Sequence, residues 1–312
     1  MKLKPSVLTI AIILITASVT QAAEHGVMVR EAAIYLAPDK ATQKLANVGR
    51  GREVALLERT KGWAHVLATV DQSFGADRDI SGWIADKGLV TAATPKGDEI
   101  MFGEAVDSEN EASRRGGRRG AAQDAMRLYA RMAEYFPTAP LAGEALYRSA
   151  DIRWQLDKED QQGRRSAKNR DPGDRLPIEE HYMKEVRKKF PHTKWSDMAD
   201  FNMIDNKLCG DWQAQSKCPE KEADIYENYA KEHPESPKLG EALYNAAWRY
   251  ASLIEIYQTE GKAGNIKTAQ QKSLSAAQRV LTSKATPDWS TRAQRLIYMV
   301  ENNIPVFGNN VE

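Results

Sequence analysis

The sequence carries little of the chemistry that most enzymes show openly. It holds two cysteines and five histidines in 312 residues, and the histidines are scattered. No Cys or His pair falls at metal-ligand spacing. No His-Glu-x-x-His is present, nor a Gly-x-x-x-x-Gly-Lys phosphate loop, a Gly-x-Ser-x-Gly elbow or a Gly-x-Gly-x-x-Gly turn. Metal hydrolysis, nucleotide hydrolysis, serine-nucleophile and dinucleotide chemistry therefore lack their usual signatures. No catalytic, metal or cofactor residue is assigned, and the chain is expected not to be an enzyme. The alternative is a cell-wall hydrolase whose residues converge only in three dimensions.

An excess of one charge is missing too. Lys and Arg number 44 against 43 Asp and Glu. Such a balance gives no argument for nucleic acid or an anionic membrane as partner. Long apolar runs are also absent beyond the first residues. There, Lys2 and Lys4 precede an apolar run from Val7 to Val19, and Thr20-Gln21-Ala22 supplies small residues. The run is short of the ~20 residues of a spanning helix, so residues 1–22 are read as a secretory signal cleaved after Ala22. An uncleaved anchor is the alternative. No cysteine follows the run, which argues against a lipid-anchored lipoprotein. Loss of Lys2 and Lys4 leaves 42 basic residues against 43 acidic, a net charge of −1. The expected location is the periplasm or the medium. In that setting Cys209 and Cys218 are expected to form a disulfide.

What is present divides the chain. Between residues 24 and 93 short β-rich runs recur: Val27 to Val29, Ile34 to Leu36, Val54 to Leu57, Trp63 to Val70, and one from Trp83-Ile84. Turn signals at Ala37-Pro38-Asp39, Gly49-Arg50-Gly51, Lys61-Gly62 and Ser81-Gly82 separate them. Strands at this spacing suggest a small barrel. Residues 94–120 are polar and end in Arg114-Arg115-Gly116-Gly117-Arg118-Arg119-Gly120. This composition is read as a flexible linker, with Met101-Phe102 as a local docking point. The four arginines form either a solvated charge run or a grip for a polyanion.

From Ala121 the apolar period becomes helical, and a repeat appears. Leu141-Ala142-Gly143-Glu144-Ala145-Leu146-Tyr147 returns as Lys238-Leu239-Gly240-Glu241-Ala242-Leu243-Tyr244, and Pro137-Thr138-Ala139-Pro140 as Pro234-Glu235-Ser236-Pro237. A degenerate copy starts at Phe190-Pro191. Helices are expected near 121–136, 139–157, 178–190, 194–208, 220–232, 237–259, 264–283 and 288–302, with 303–312 as a tail. Repetition of this kind implies stacked helical hairpins, which present binding surfaces more often than active sites.

Two resemblances follow. Ala37-Pro38, Leu45-x2-Val48-x2-Gly51-x2-Val54-x2-Leu57, Gly62-Trp63-x2-Val66 and Gly82-Trp83-Ile84 resemble a bacterial SH3 (SH3b) domain over about 65 residues. The chain departs from that family at Ile34-Tyr35-Leu36-Ala37-Pro38, where Asn-Val-Arg-x-Gly-Pro is common, and in a polar insertion from Asp71 to Asp79. The resemblance implies a module that contacts cell-wall peptides or glycans. Tyr35, Trp63 and Trp83 are its candidate ligand face, since aromatic rings offer contact area at low entropy cost. The opposing reading places both tryptophans in the barrel core.

Ala125-x3-Tyr129-x2-Met132-x4-Pro137, with Tyr226, Tyr229 and Pro234 in the later copy, resembles tetratricopeptide repeats of bacterial envelope proteins. Glu222 stands where that pattern expects a small residue. The groove candidates are Tyr147, Arg148, Tyr244, Asn245 and Arg249; the opposing reading packs both tyrosines between repeats. Together these readings describe a mixed chain, a small SH3-like β-barrel followed by a tetratricopeptide-like α-solenoid. The expected function is that of a non-enzymatic envelope scaffold. Its array would bind a protein or peptide partner, and its barrel the peptidoglycan or a second partner. In an alternative reading the array is a spacer for a peptidoglycan-binding module.

Overall fold

The computed structural model describes residues 24–70, 77–163 and 176–306. The leader read over residues 1–22 lies outside them. So do residues 71–76 of the polar insertion, residues 164–175 of the loop before the fourth helix, and residues 307–312 of the tail.

Seven strands come first: β1 (Glu24–Met28), β2 (Ala32–Tyr35), β3 (Lys44–Val48), β4 (Glu53–Thr60), β5 (Trp63–Val70), β6 (Arg78–Ala85) and β7 (Leu89–Thr91). They form one antiparallel sheet in the order β3-β2-β6-β5-β4-β1-β7. Strand periodicity decides which side chains enter its core. On β5, Ala64, Val66, Ala68 and Val70 point inward while Trp63, His65 and Leu67 face the other way. Met28, Ile34, Val48, Val54, Leu56 and Ile84 complete the inner cluster.

Nine α-helices follow among the described residues: α1 (Gly97–Ser113), α2 (Ala121–Tyr135), α3 (Ala142–Gly163), α4 (His181–Lys189), α5 (Lys194–Asn202), α6 (Lys217–Glu232), α7 (Leu239–Thr259), α8 (Ala263–Thr282) and α9 (Pro287–Glu301). A 3-10 turn, Met203–Lys207, extends α5. Consecutive helices pack as hairpins, and the repeat is visible in the contacts: Tyr147 stacks on Trp195 of α5, and its counterpart Tyr244 lies against Trp289 of α9. Thr193 caps α5 reciprocally with Ser196, which stops the chain cleanly after Phe190-Pro191.

Residues 94–120 are not a tether along their length. Gly97–Ser113 is helical, and its buried positions, Gly97, Met101, Ala105 and Ser108, form one stripe at spacings of four, four and three. Three of the four are small, so the helix contributes little hydrophobicity to a sequence window, yet it lies close against its neighbours. Val27, Val29 and Val90 of the sheet region share a core with Met101, Ala105 and Leu128 of α1 and α2. Polar bridges reinforce the junction. Arg30 Nη2 lies 2.8 Å from Glu104, Arg50 Nη1 donates to Ser108 Oγ at 2.9 Å, and Tyr135 donates to Glu53 at 2.6 Å. The basic loop after α1 is tied as well, because Asp124 accepts from both Arg118 and Arg127.

Cys209 and Cys218 are disulfide-bonded and close the loop between the 3-10 turn and α6. Among the described residues, no helix is long and apolar enough to cross a membrane.

Candidate binding surfaces

The outer side of the sheet gathers the three aromatic residues singled out in the N-terminal region. Tyr35 of β2, Trp83 of β6 and His65 of β5 stand in one cross-strand row, since Tyr35 pairs with Trp83 and Trp83 with His65. Trp83 and His65 stack with ring centroids 4.9 Å apart and planes inclined by 15°. Trp63, two residues before His65 on the same side, meets Tyr35 edge-on at 5.8 Å. His65 Nε2 lies 3.0 Å from Ser81 Oγ. All four rings are half-buried, so each keeps part of its surface open. The inward positions on these strands are held instead by Ala64, Val66 and Ile84. His65 was not among the sequence candidates, although strand alternation from Trp63 places it on this face.

The array residues are placed differently. Tyr147 and Tyr244 are buried among helices, and burial pushes both hydroxyl pKa values up. Arg148 binds Glu144 at 2.7 Å and Glu109 at 2.9 Å, and its guanidinium lies against the rings of Phe102 and Tyr129. It therefore fastens α3 to α1 and α2. Arg249 pairs with Glu222 at 2.7 Å and lies over Tyr226, with its centre 4.6 Å from the ring. Asn245 accepts from Arg249 and donates to the Glu241 carbonyl. These five side chains are engaged with the array itself, and the structure does not bring them together on one open face.

A cavity of about 500 Å³ opens at the junction of the sheet with α2, α3 and α4. Its floor includes Met126, Ala130, Leu146 and Ala150, and its walls carry arginines and glutamates. No motif marks it in sequence, because its residues come from two strands, three helices and the loop before β4. Among the described residues, no group of three or more His, Cys, Asp and Glu is placed to hold a metal ion.

No family model and no curated protein matches the sequence. Among solved structures, a chain titled "DHF119 filament" is similar at 17% identity, over 66% of this chain and 93% of that one. Its TM-score is 0.23, too low to bear on the fold.

Proposed function

We propose that the protein is an exported, non-enzymatic scaffold of the bacterial cell envelope. In this reading the sheet is an SH3b-like module that contacts peptidoglycan, and the helices are a tetratricopeptide-like array that holds a peptide or protein partner. The observation that carries the reading is the row Tyr35, Trp83, His65 with Trp63 beside it. Four half-open rings on one side of a sheet suit stacking on sugar rings or flat peptide groups. The bonded pair Cys209–Cys218 fits an oxidising compartment.

The test is co-sedimentation of the full chain with purified peptidoglycan sacculi, beside Trp63→Ala/Trp83→Ala. The full chain is required because the sheet shares its core with α1 and α2. Pelleting of the wild type and its loss in the double variant supports the reading. Equal pelleting of both would remove the aromatic face from wall binding. Failure of the wild type to pellet would exclude the wall as partner, and release of soluble fragments from the sacculi would point to a hydrolase.

A further inference from the structure

The cavity between sheet and helices is electrically polarised along its length. α2 and α3 form an antiparallel hairpin, pinned where Ser149 donates to the Met126 carbonyl at 2.9 Å. The C-terminal half of α2 therefore faces the start of α3, and its N-terminal half faces the later turns. α4 is antiparallel to α3 in turn: Tyr182 lies beside Arg153, while Phe190 lies beside Gly143. Arg127 and Arg153 consequently stand at one end of the cavity. Glu134, near the end of α2, stands at the other with Arg131 beside it, while Glu185, one turn of α4 from Tyr182, lies between the ends and pairs with Lys189 at 2.7 Å. Met126, Ala130, Leu146 and Ala150 form the apolar floor between them.

The two ends differ in how well their charges are met. Arg127 shares Asp124 with Arg118, two guanidiniums on one carboxylate. Arg153 Nε lies 3.5 Å from Asp157 Oδ1 and makes no hydrogen bond among the described residues, and its guanidinium rests on the Tyr182 ring at 5.3 Å. At the opposite end Glu134 is 56% exposed and meets Arg131, which also serves Glu53. Seven residues of α2 separate Arg127 from Glu134, a rise of about 10 Å. An extended peptide advances about 3.3 Å per residue, so three residues cover that span.

We infer that this cavity binds a short peptide, about three residues long, by its two charged ends. The free C-terminal carboxylate lies at Arg153 and Arg127, the amino group at Glu134, and small apolar side chains on the floor. A guanidinium matches a carboxylate in two parallel hydrogen bonds, which an amide does not reproduce. The inference rests on the peptide-binding half of the reading above and is independent of the sheet's aromatic face. The sacculus experiment reports on that face alone, so the two can fail separately.

Calorimetric titration of the full chain with trialanine and with Ala-Ala-Lys, both with free termini, tests the inference. Binding of at least one is expected, with affinity reduced about tenfold or more for its C-terminal amide. Arg153→Gln is expected to abolish the preference for the free acid, and Glu134→Gln the preference for the free amine over the N-acetyl form. The Arg153 side chain is 41% exposed and that of Glu134 56%, so the variants should keep the fold, which circular dichroism checks. Absence of binding by both probes at about 10 mM, where even an affinity near −3 kcal/mol would register, overturns the inference. So does equal binding of acid and amide, or a preference for the acid that survives Arg153→Gln.

Discussion

Glu222 on α6 receives the Arg249 Nε–H of α7 at 2.7 Å, with 2% and 9% of the two side chains left exposed. Both positions are anomalous in the repeat. Ala125 and Ile152 occupy the corresponding places in the first copy, both apolar and both in or against one core cluster. The second copy has exchanged them together for an ion pair. Glu222 uses its other oxygen to accept the Cys209 N–H at 2.8 Å, so the pair also holds the disulfide loop. Removing one member leaves an enclosed charge without a partner. Glu222→Ala is expected to cost about 3–5 kcal/mol. Restoring the first copy's solution, Glu222→Ala with Arg249→Ile, should reduce the loss to about 1 kcal/mol, the worth of the forfeited Cys209 bond. Chemical denaturation of the two single variants and the double variant measures the coupling. Additive costs would mean that the charges do not act as a pair.

The same loop leads to a second prediction. Cys209 and Cys218 are nine residues apart. Closing so short a loop removes about 2–3 kcal/mol of chain entropy from the unfolded state. Thermal melts with and without dithiothreitol should show a lower Tm in the reductant, and Cys209→Ser/Cys218→Ser should melt at the lower temperature in both. Wild-type melts that ignore the reductant would show that the bond contributes nothing.

Periodicity made most of the helical part legible. The expected helix at 121–136 is found at Ala121–Tyr135, and that at 288–302 at Pro287–Glu301, because their apolar stripes are wide and their prolines sit at the ends. The failure at α1 has the opposite cause. Its buried stripe is Gly97, Met101, Ala105 and Ser108, and only Met101 is a large apolar side chain. Site residues were legible in proportion to how local their arrangement is. Trp63, His65 and Leu67 share a face by alternation alone, and Trp83 joins them through one strand pairing. Arg148 and Arg249 looked like open groove residues because their acidic partners, Glu109 and Glu222, lie 39 and 27 residues away. Ion pairing at such distance leaves no periodic trace.

Glu260 follows α7 and binds the start of α6. It accepts the Ser216 N–H at 2.8 Å and lies 2.7 Å from Lys262. Lys262 and the backbone and hydroxyl of Ser216 hold its carboxyl at about 2, against an ordinary 4.5. A folded value below the unfolded one means that the charged carboxylate stabilises the fold. That contribution is complete above pH 4.5 and is lost as pH falls towards 2. The stability difference between wild type and Glu260→Gln is therefore expected at pH 7 and should shrink across this interval, vanishing near its acid end. A difference that stays constant with pH would assign the effect to packing or to the Ser216 hydrogen bond.

The two Gly-Trp pairs on the sheet look alike in sequence but need their glycines for different reasons. Gly62 turns between β4 and β5 with φ of 80°, and a β-carbon there would meet nothing within 4 Å. Its requirement is conformational, and Gly62→Ala is expected to cost about 1 kcal/mol. Gly82 has no such backbone demand. A β-carbon on it would stand 2.6 Å from Ile34 Cγ2 and 2.7 Å from the Tyr35 carbonyl oxygen, so β6 could no longer lie against β2. Backbone cannot yield as a flexible side chain does, and overpacking of this kind costs about 1–3 kcal/mol. Gly82→Ala should also part Tyr35 from Trp83, whose pairing sets the aromatic row. Denaturation should thus rank Gly82→Ala as the more damaging, and only that variant should lose sacculus binding. Loss of binding in Gly62→Ala alone would move the wall contact to the β4–β5 turn and away from the rings.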